Sequence, residues 1–145
     1  MRLYLLRHGE AEPYGSVSDA ERRLVPAGES AVIRQRTWLE PVDAFYCSPY
    51  RRACQTAELI RSTVGGQQPM LDARLTPDSP VQGVLDLLGS AGGERLLLVG
   101  HNPLLSSLAN SLIGDPYALA LPTAGLVCLE ADDWFPGSAQ FLWQK

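Results

Sequence analysis

Short apolar runs alternate along this chain with longer stretches of helical spacing, and the clearest runs each stop at a chemically capable residue. Arg2–Leu6 ends at Arg7-His8-Gly9, Asp43–Ser48 ends at Ser48-Pro49, and Arg95–Val99 ends at Gly100-His101. Apolar runs this short, bounded by polar and turn-forming residues, read as buried strands. Helical spacing predicts helices from Pro26 to about Glu40, Arg51 to Val64, Val81 to Leu88 and Pro103 to Ile113. Pro26 suits a first helical turn, and Pro41, Gly65-Gly66 and Gly114 supply stops. Met70–Leu75 reads as a further short strand. Gly125–Glu130 and Ala139–Trp143, joined through Pro136-Gly137, read as a terminal antiparallel pair. Residues 10–25 are polar, contain Pro13 and Gly15, and read as a loop. This order predicts an α/β fold, a three-layer αβα arrangement with a mostly parallel central sheet, in one domain spanning residues 1–145. Such sheets bind ligands outside the carboxyl ends of their strands. Three of those ends carry His8, Ser48 and His101.

Composition narrows the function classes. The 145 residues carry a formal net charge of −4, which offers no basic field for nucleic acid. No apolar run approaches the ~20 residues of a membrane span, and the opening MRLYLLRHGE lacks a signal-peptide pattern. Neither nucleic acid nor membrane is expected as a partner. Cys47, Cys54 and Cys128 form no CxxC motif, which fits reduced thiols in a cytoplasmic protein. A monomer is expected.

The chain has two histidines, and both follow strand patterns. Two histidines this far apart, with no acidic pair beside them, make a poor metal site, so no metal and no cofactor is expected. GxSxG, GxxxxGK and GxGxxG are all absent, which removes the nucleophile elbow, the phosphate-binding P-loop and the dinucleotide fingerprint. Histidine combined with arginine remains. Arg7 adjoins His8, and Arg51-Arg52 open a helix just after the second strand. Guanidinium groups pair bidentately with phosphate oxygens. A helix N-terminus favours anions, and a neutral imidazole can carry a phosphoryl group covalently.

These residues resemble a known family. Leu-Arg-His-Gly-Glu-Ala at 6–11 is similar to the RHG signature of the histidine phosphatase superfamily, which also contains phosphoglycerate mutases. Residues 48–56, Ser-Pro-Tyr-Arg-Arg-Ala-Cys-Gln-Thr, resemble its SPxxRAxQT element, and Gly100-His101-Asn102-Pro103 resembles its second-histidine element. Ser18-Asp19, Arg22, Leu24 and Gly28 resemble the SDxxRxLxxxG segment of the small SixA-type branch, and Leu75-Thr76-Pro77 its LTP segment. The resemblance implies a phosphoglycerate mutase-like fold in a minimal form without lid insertions. It also implies roles. His8 would be the nucleophile, Arg7 and Arg52 would hold the phosphoryl oxygens, and His101 would bind phosphate and stabilise transition-state charge. Asn102 would stand beside the substrate. Arg51 falls on an unspecified motif position and receives no role.

Two departures from the family pattern bear on these expectations. Val25 stands where the family often has a Thr helix cap, a loss worth ~1 kcal/mol. Residues 65–93 contain no Glu, where mutases and many small-molecule phosphatases carry a general acid. Asp72, Asp78 and Asp86 are the acids there, and only Asp78 lies beside the LTP segment. An alkoxide leaving group needs an acid, whereas an imidazole leaving group protonates near neutral pH. The expected activity is therefore metal-independent hydrolysis of phosphohistidine on a partner protein such as a phosphotransfer domain, in an open, shallow pocket. Two alternatives stay open: a phosphatase of a small metabolite with Asp78 as weak acid, and an inactive phosphate- or phosphoprotein-binding module. The aromatic cluster of Trp134, Phe135, Phe141 and Trp143 is expected in the core.

Overall fold

A computed structural model describes residues 1–15 and 17–145. Strands β1 (Arg2–Arg7), β2 (Ala44–Cys47), β3 (Met70–Leu71), β4 (Arg95–Gly100), β5 (Leu126–Glu130) and β6 (Gln140–Gln144) form one sheet in the order β3-β2-β4-β1-β5-β6. The pairs β1/β4, β2/β4 and β2/β3 are parallel. β5 runs antiparallel to both β1 and β6. Helices α1 (Pro26–Arg34), α2 (Arg51–Ile60), α3 (Val81–Ser90) and α4 (Leu104–Ile113) cover the two faces. Alternation along the central strands assigns the faces, because successive strand side chains point oppositely. Leu3, Leu5, Leu96 and Leu98 pack with α3 and α4, while Tyr4, Leu6, Leu97 and Val99 pack with α1 and α2. The result is the expected mostly parallel, three-layer α/β fold.

Several boundaries differ from the sequence expectation for local reasons. The first helix is α-helical only to Arg34 and continues as a 3-10 turn over Gln35–Trp38, so it stops short of Pro41. Val25 is its N-cap and makes no side-chain capping bond. The Met70–Leu75 strand shortens to two paired residues. Asp72 then accepts the Arg74 amide and starts a 3-10 turn at Ala73–Leu75. The loop at 10–25 is more ordered than its composition implies. Ala11 bridges Leu24, and Asp19–Glu21 form a 3-10 turn.

The aromatic cluster does not form a common core. Trp134 is buried, but Phe135 is 55% exposed and Phe141 45% exposed. β6 is an edge strand with a paired neighbour on one side only, so fewer residues remain to bury its side chains. Trp143 is half-buried and packs against Tyr4 and Trp38.

The parallel register positions the site. Arg7 pairs with Gly100, and Cys47 with Val99, so β1, β4 and β2 end at nearly one level. The ladder runs one residue further. The His8 amide donates to the Gly100 carbonyl at 3.0 Å, and the Ser48 amide to the Val99 carbonyl at 3.0 Å. His8, His101 and Ser48 are thereby gathered at the carboxyl edge of the sheet.

Candidate active site

A cleft of about 610 Å³ opens at that edge. Arg7, His8, Asp19, Arg22, Arg52, Asp78 and Asn102 all lie along its walls. The reactive groups are recessed. His8 is 6% exposed, Arg52 3% and His101 1%. No insertion between Arg52 and His101 forms a lid, since β3, α3 and β4 with their short connections occupy that segment. One side of the cleft is formed by residues before the first helix. The 10–25 loop builds a wall from Glu10, Ala11, Tyr14, Asp19 and Arg22.

The hydrogen bonds of His8 set its tautomer. Its Nδ1 lies 2.7 Å from the Gly9 carbonyl oxygen, which can only accept, so Nδ1 carries the proton. Nε2 therefore presents a lone pair, and Arg52 Nε donates to it at 3.3 Å. The His101 ring lies 5.0 Å from the His8 ring, and its Nε2 is 2.7 Å from Ser48 Oγ. Arg7 is anchored through a bond to the Leu121 carbonyl. Among the described residues, three buried side-chain polar atoms lack a partner: Arg7 Nε, His101 Nδ1 and Trp134 Nε1. Two of the three belong to this site.

Arg52 is held by Asp19, within the stretch read from sequence as a loop. Its guanidinium donates to the Asp19 carbonyl at 2.6 Å and to the Asp19 carboxylate at 3.3 Å. Buried Arg22 clamps the same carboxylate at 2.7 Å and the Glu12 carbonyl at 2.7 Å. Burial pushes the Asp19 pKa up, but bonds from Arg22 and the charge of Arg52 outweigh it and hold the carboxyl below its ordinary range. Asp19 and Arg22 are cleft residues braced against Arg52 that chemical reasoning from the sequence missed. The only signal for them was the SDxxRxLxxxG resemblance.

The remaining motif residues are fasteners. Gln55 accepts the Leu24 amide, and Thr56 accepts the Gly9 amide, tying α2 to both ends of the loop. Asn102 lines the cleft, but its amide donates to the Leu121 carbonyl and its oxygen accepts from Ser106. Its polar atoms thus secure the start of α4 and the loop that also anchors Arg7. Asp78 stands exposed on the wall of the same cleft as His8. Arg51 is exposed, 3.8 Å from Glu21.

Gly9 and Gly28 permit a close backbone crossing. A Cβ on Gly28 would lie 2.1 Å from the Glu10 carbonyl oxygen, and one on Gly9 would lie 2.6 Å from the Gly28 oxygen. Backbone atoms cannot swing aside as a side chain would. Gly28→Ala is expected to cost about 1–3 kcal/mol or more and to displace the segment after His8. A urea midpoint together with turnover checks both effects.

Electrostatics keep both imidazoles neutral. Burial pushes His8 down to about 4, with the charges of Arg52 and Arg7 adding to the effect. Burial pushes His101 down to about 3, assisted by His8 and Arg52. The unfolded chain takes up protons on these rings as pH falls through about 6.5, whereas the folded chain resists until near 4. Their contribution to stability is complete above about pH 6.5 and is lost as pH falls toward 4. The melting temperature is expected to drop between about pH 7.5 and about pH 5, and to drop less in His101→Asn.

The comparisons with known proteins agree with this geometry. A profile of the histidine phosphatase superfamily, branch 1, matches residues 3–76. An uncharacterized protein of Picosynechococcus is 30% identical over 141 residues, covering 90% of this chain and 86% of its own length. The chain belongs to the histidine phosphatase superfamily and is a phosphatase. A SixA phosphohistidine phosphatase homolog of Haemophilus influenzae is 27% identical over 129 residues, covering 79% of this chain and 78% of its own. The solved structure of the protein histidine phosphatase SixA with tungstate superposes with a TM-score of 0.86 at 25% identity, covering 99% of this chain and 96% of that one. The structure of a phosphohistidine phosphatase SixA from Agrobacterium tumefaciens shares the fold, with a TM-score of 0.82 at 22% identity and coverage of 99% of this chain and 96% of that one. No helix among the described residues is long and apolar enough to cross a membrane.

Proposed function

We propose that this chain removes phosphate from phosphohistidine on a partner protein, through a phosphohistidine intermediate on His8 and without a metal. The observation that carries the reading is the His8 tautomer. Its Nδ1–H is spent on Gly9, and its Nε2 lone pair faces the arginines inside the cleft. In the first step Nε2 attacks phosphorus. The P–N bond to the partner's imidazole breaks, and the leaving nitrogen takes the electron pair and a solvent proton. In the second step water attacks phosphorus and the new P–N bond breaks. Inorganic phosphate leaves, and Nε2 regains its lone pair. Arg7 and Arg52 neutralise the equatorial oxygens, where such transition states concentrate charge. Support comes from Arg7 and Arg52, which both line the cleft with His8 and offer it two guanidinium charges.

The acids favour phosphohistidine over an alkyl ester. Asp19 is ionised against two arginines and has no proton to give. Glu10 and Asp78 stand exposed on the cleft wall. An imidazole leaving group manages with this set. The similarity to the SixA homolog and to the tungstate-bound SixA structure points to the same substrate class.

The test is phosphate release from a histidine-phosphorylated phosphotransfer protein in the presence of chelator. Rapid release that survives Asp78→Ala is the expected result. No release, together with hydrolysis of alkyl phosphates that Asp78→Ala cripples, would establish the small-metabolite reading instead. Phosphate binding with neither activity would establish a binding module.

A further inference from the structure

Cys47 closes β2 and Cys54 lies in the first turn of α2. Both thiols point at one atom, the Ser48 carbonyl oxygen, with Cys47 Sγ at 3.2 Å and Cys54 Sγ at 3.5 Å. Neither thiol has a part in the phosphoryl chemistry. Cys47 is fully buried, whereas Cys54 is half-buried and reaches solvent. The residues between them are those that organise the site. Ser48 Oγ holds His101 Nε2, the Tyr50 ring packs edge-on against His101 at 5.1 Å, and Arg52 donates to His8.

We propose that Cys54 is a peroxide-reactive site and that Cys47 resolves it, forming a disulfide that disables the phosphate pocket reversibly. This goes beyond the proposed substrate and does not depend on it. The Cys54 thiolate attacks one oxygen of hydrogen peroxide. The O–O bond breaks, and the departing hydroxide takes a proton to become water, leaving a sulfenic acid. The Cys47 sulfur then attacks the Cys54 sulfur. The S–O bond breaks, and the leaving hydroxide takes the Cys47 proton as a second water. Two thiols lose two electrons and two protons, and the peroxide becomes two waters.

The reactivity order follows from the surroundings. The Cys47 thiol beside it draws Cys54 down to about 7, which leaves much of it ionised at neutral pH. Cys47 is held well above the ordinary thiol range, first by its bond to Cys54 and then by burial, so peroxide meets the Cys54 thiolate first, and Cys47 is the partner because it flanks the same carbonyl oxygen. The consequence follows from geometry. A disulfide requires the sulfurs to close to about 2.05 Å, across the oxygen they now flank. Both thiol donors leave the Ser48 carbonyl, and the Ser48 main chain must shift, carrying the His101 contact and the entry to α2 with it.

The experiment treats the full chain with hydrogen peroxide and reads three quantities. Peptide mapping locates the cross-link, titration with tungstate reports the pocket, and dithiothreitol tests reversal. The wild type is expected to form a Cys47–Cys54 disulfide, to bind tungstate at least about tenfold more weakly, and to recover fully on reduction. Cys54→Ser and Cys54→Ala are expected to keep their tungstate affinity under peroxide. Cys47→Ala is expected to accumulate a dimedone-trappable sulfenic acid at Cys54, and Cys128→Ser to behave as wild type. Free thiols after oxidation, a cross-link to Cys128, or a Cys47–Cys54 disulfide with unchanged tungstate affinity would each overturn the proposal. Tungstate binding is read without turnover, so an error about the natural substrate would not disturb this result.

Discussion

His8→Ala is expected to lower phosphate release by at least about 10⁴-fold while the pocket still binds tungstate. The split follows from the division of labour in the site. Only Nε2 of His8 presents an unprotonated lone pair at the arginines, so its removal deletes the bond-forming atom. Arg7 and Arg52 remain, and so does the unpartnered His101 Nδ1. Anion affinity should fall by less than about tenfold, because fixed cations supply most of it. A second readout belongs to the same variant. Wild type quenched during turnover should hold a phosphoryl group that is labile to acid and stable to alkali, as a P–N bond is, and His8→Ala should hold none. The fold should survive, since the loss is one buried ring and its bond to Gly9, a cost of about 1–3 kcal/mol. Turnover close to wild type in a folded His8→Ala would end the covalent mechanism.

Arg52→Lys is expected to cost about 10²–10³-fold in kcat, with a smaller rise in KM. The Arg52 guanidinium makes three directed contacts: to His8 Nε2, the Asp19 carbonyl and the Asp19 carboxylate. A lysine keeps the charge but places it at one point on a flexible stem, and cannot hold the fork geometry. Charge on the phosphoryl oxygens is rearranged in the transition state, so misplaced donors raise the barrier more than they weaken ground-state binding. Arg51→Lys is the matched control. Arg51 is exposed and meets only Glu21, at 3.8 Å, so its exchange should leave kinetics unchanged and stability within about 0.5 kcal/mol. Steady-state kinetics on the two variants distinguish a site residue from its neighbour. Equal behaviour of the pair would remove Arg52 from the site.

The contrast between Arg51 and Arg52 also shows where sequence reading stops. Adjacent arginines are indistinguishable by composition and charge, and only the motif resemblance separated them. The helical turn decides the matter, because successive residues point about 100° apart. Arg52 turns into the cleft and Arg51 out to solvent. The same limit applies to Asn102. Its place beside His101 made it a substrate ligand by expectation; it does line the cleft, and its amide also ties Leu121 and Ser106 together. The Ser106 contact is local, four residues on, but Leu121 lies nineteen residues away, and no local pattern encodes that partner.

What the sequence determined by itself was the alternation of apolar runs and helical spacing, and hence the α/β class. It also placed His8, Ser48 and His101 at strand ends, because a buried strand must be apolar and must stop where polarity begins. The tertiary structure alone decided that those ends meet. Parallel register sets β1 beside β4 and β4 beside β2, and this joins residues His8 and His101 as ring neighbours. It alone decided that the 10–25 segment is a wall. That segment has no hydrophobic period, and its order comes from Arg22, Asp19 and Gln55 reaching groups outside their own local pattern. It also left Phe135 and Phe141 in solvent. Aromatic residues are buried only where neighbours surround them; Phe135 lies on the connection between β5 and β6, and Phe141 lies on the edge strand, which has a paired neighbour on one side only.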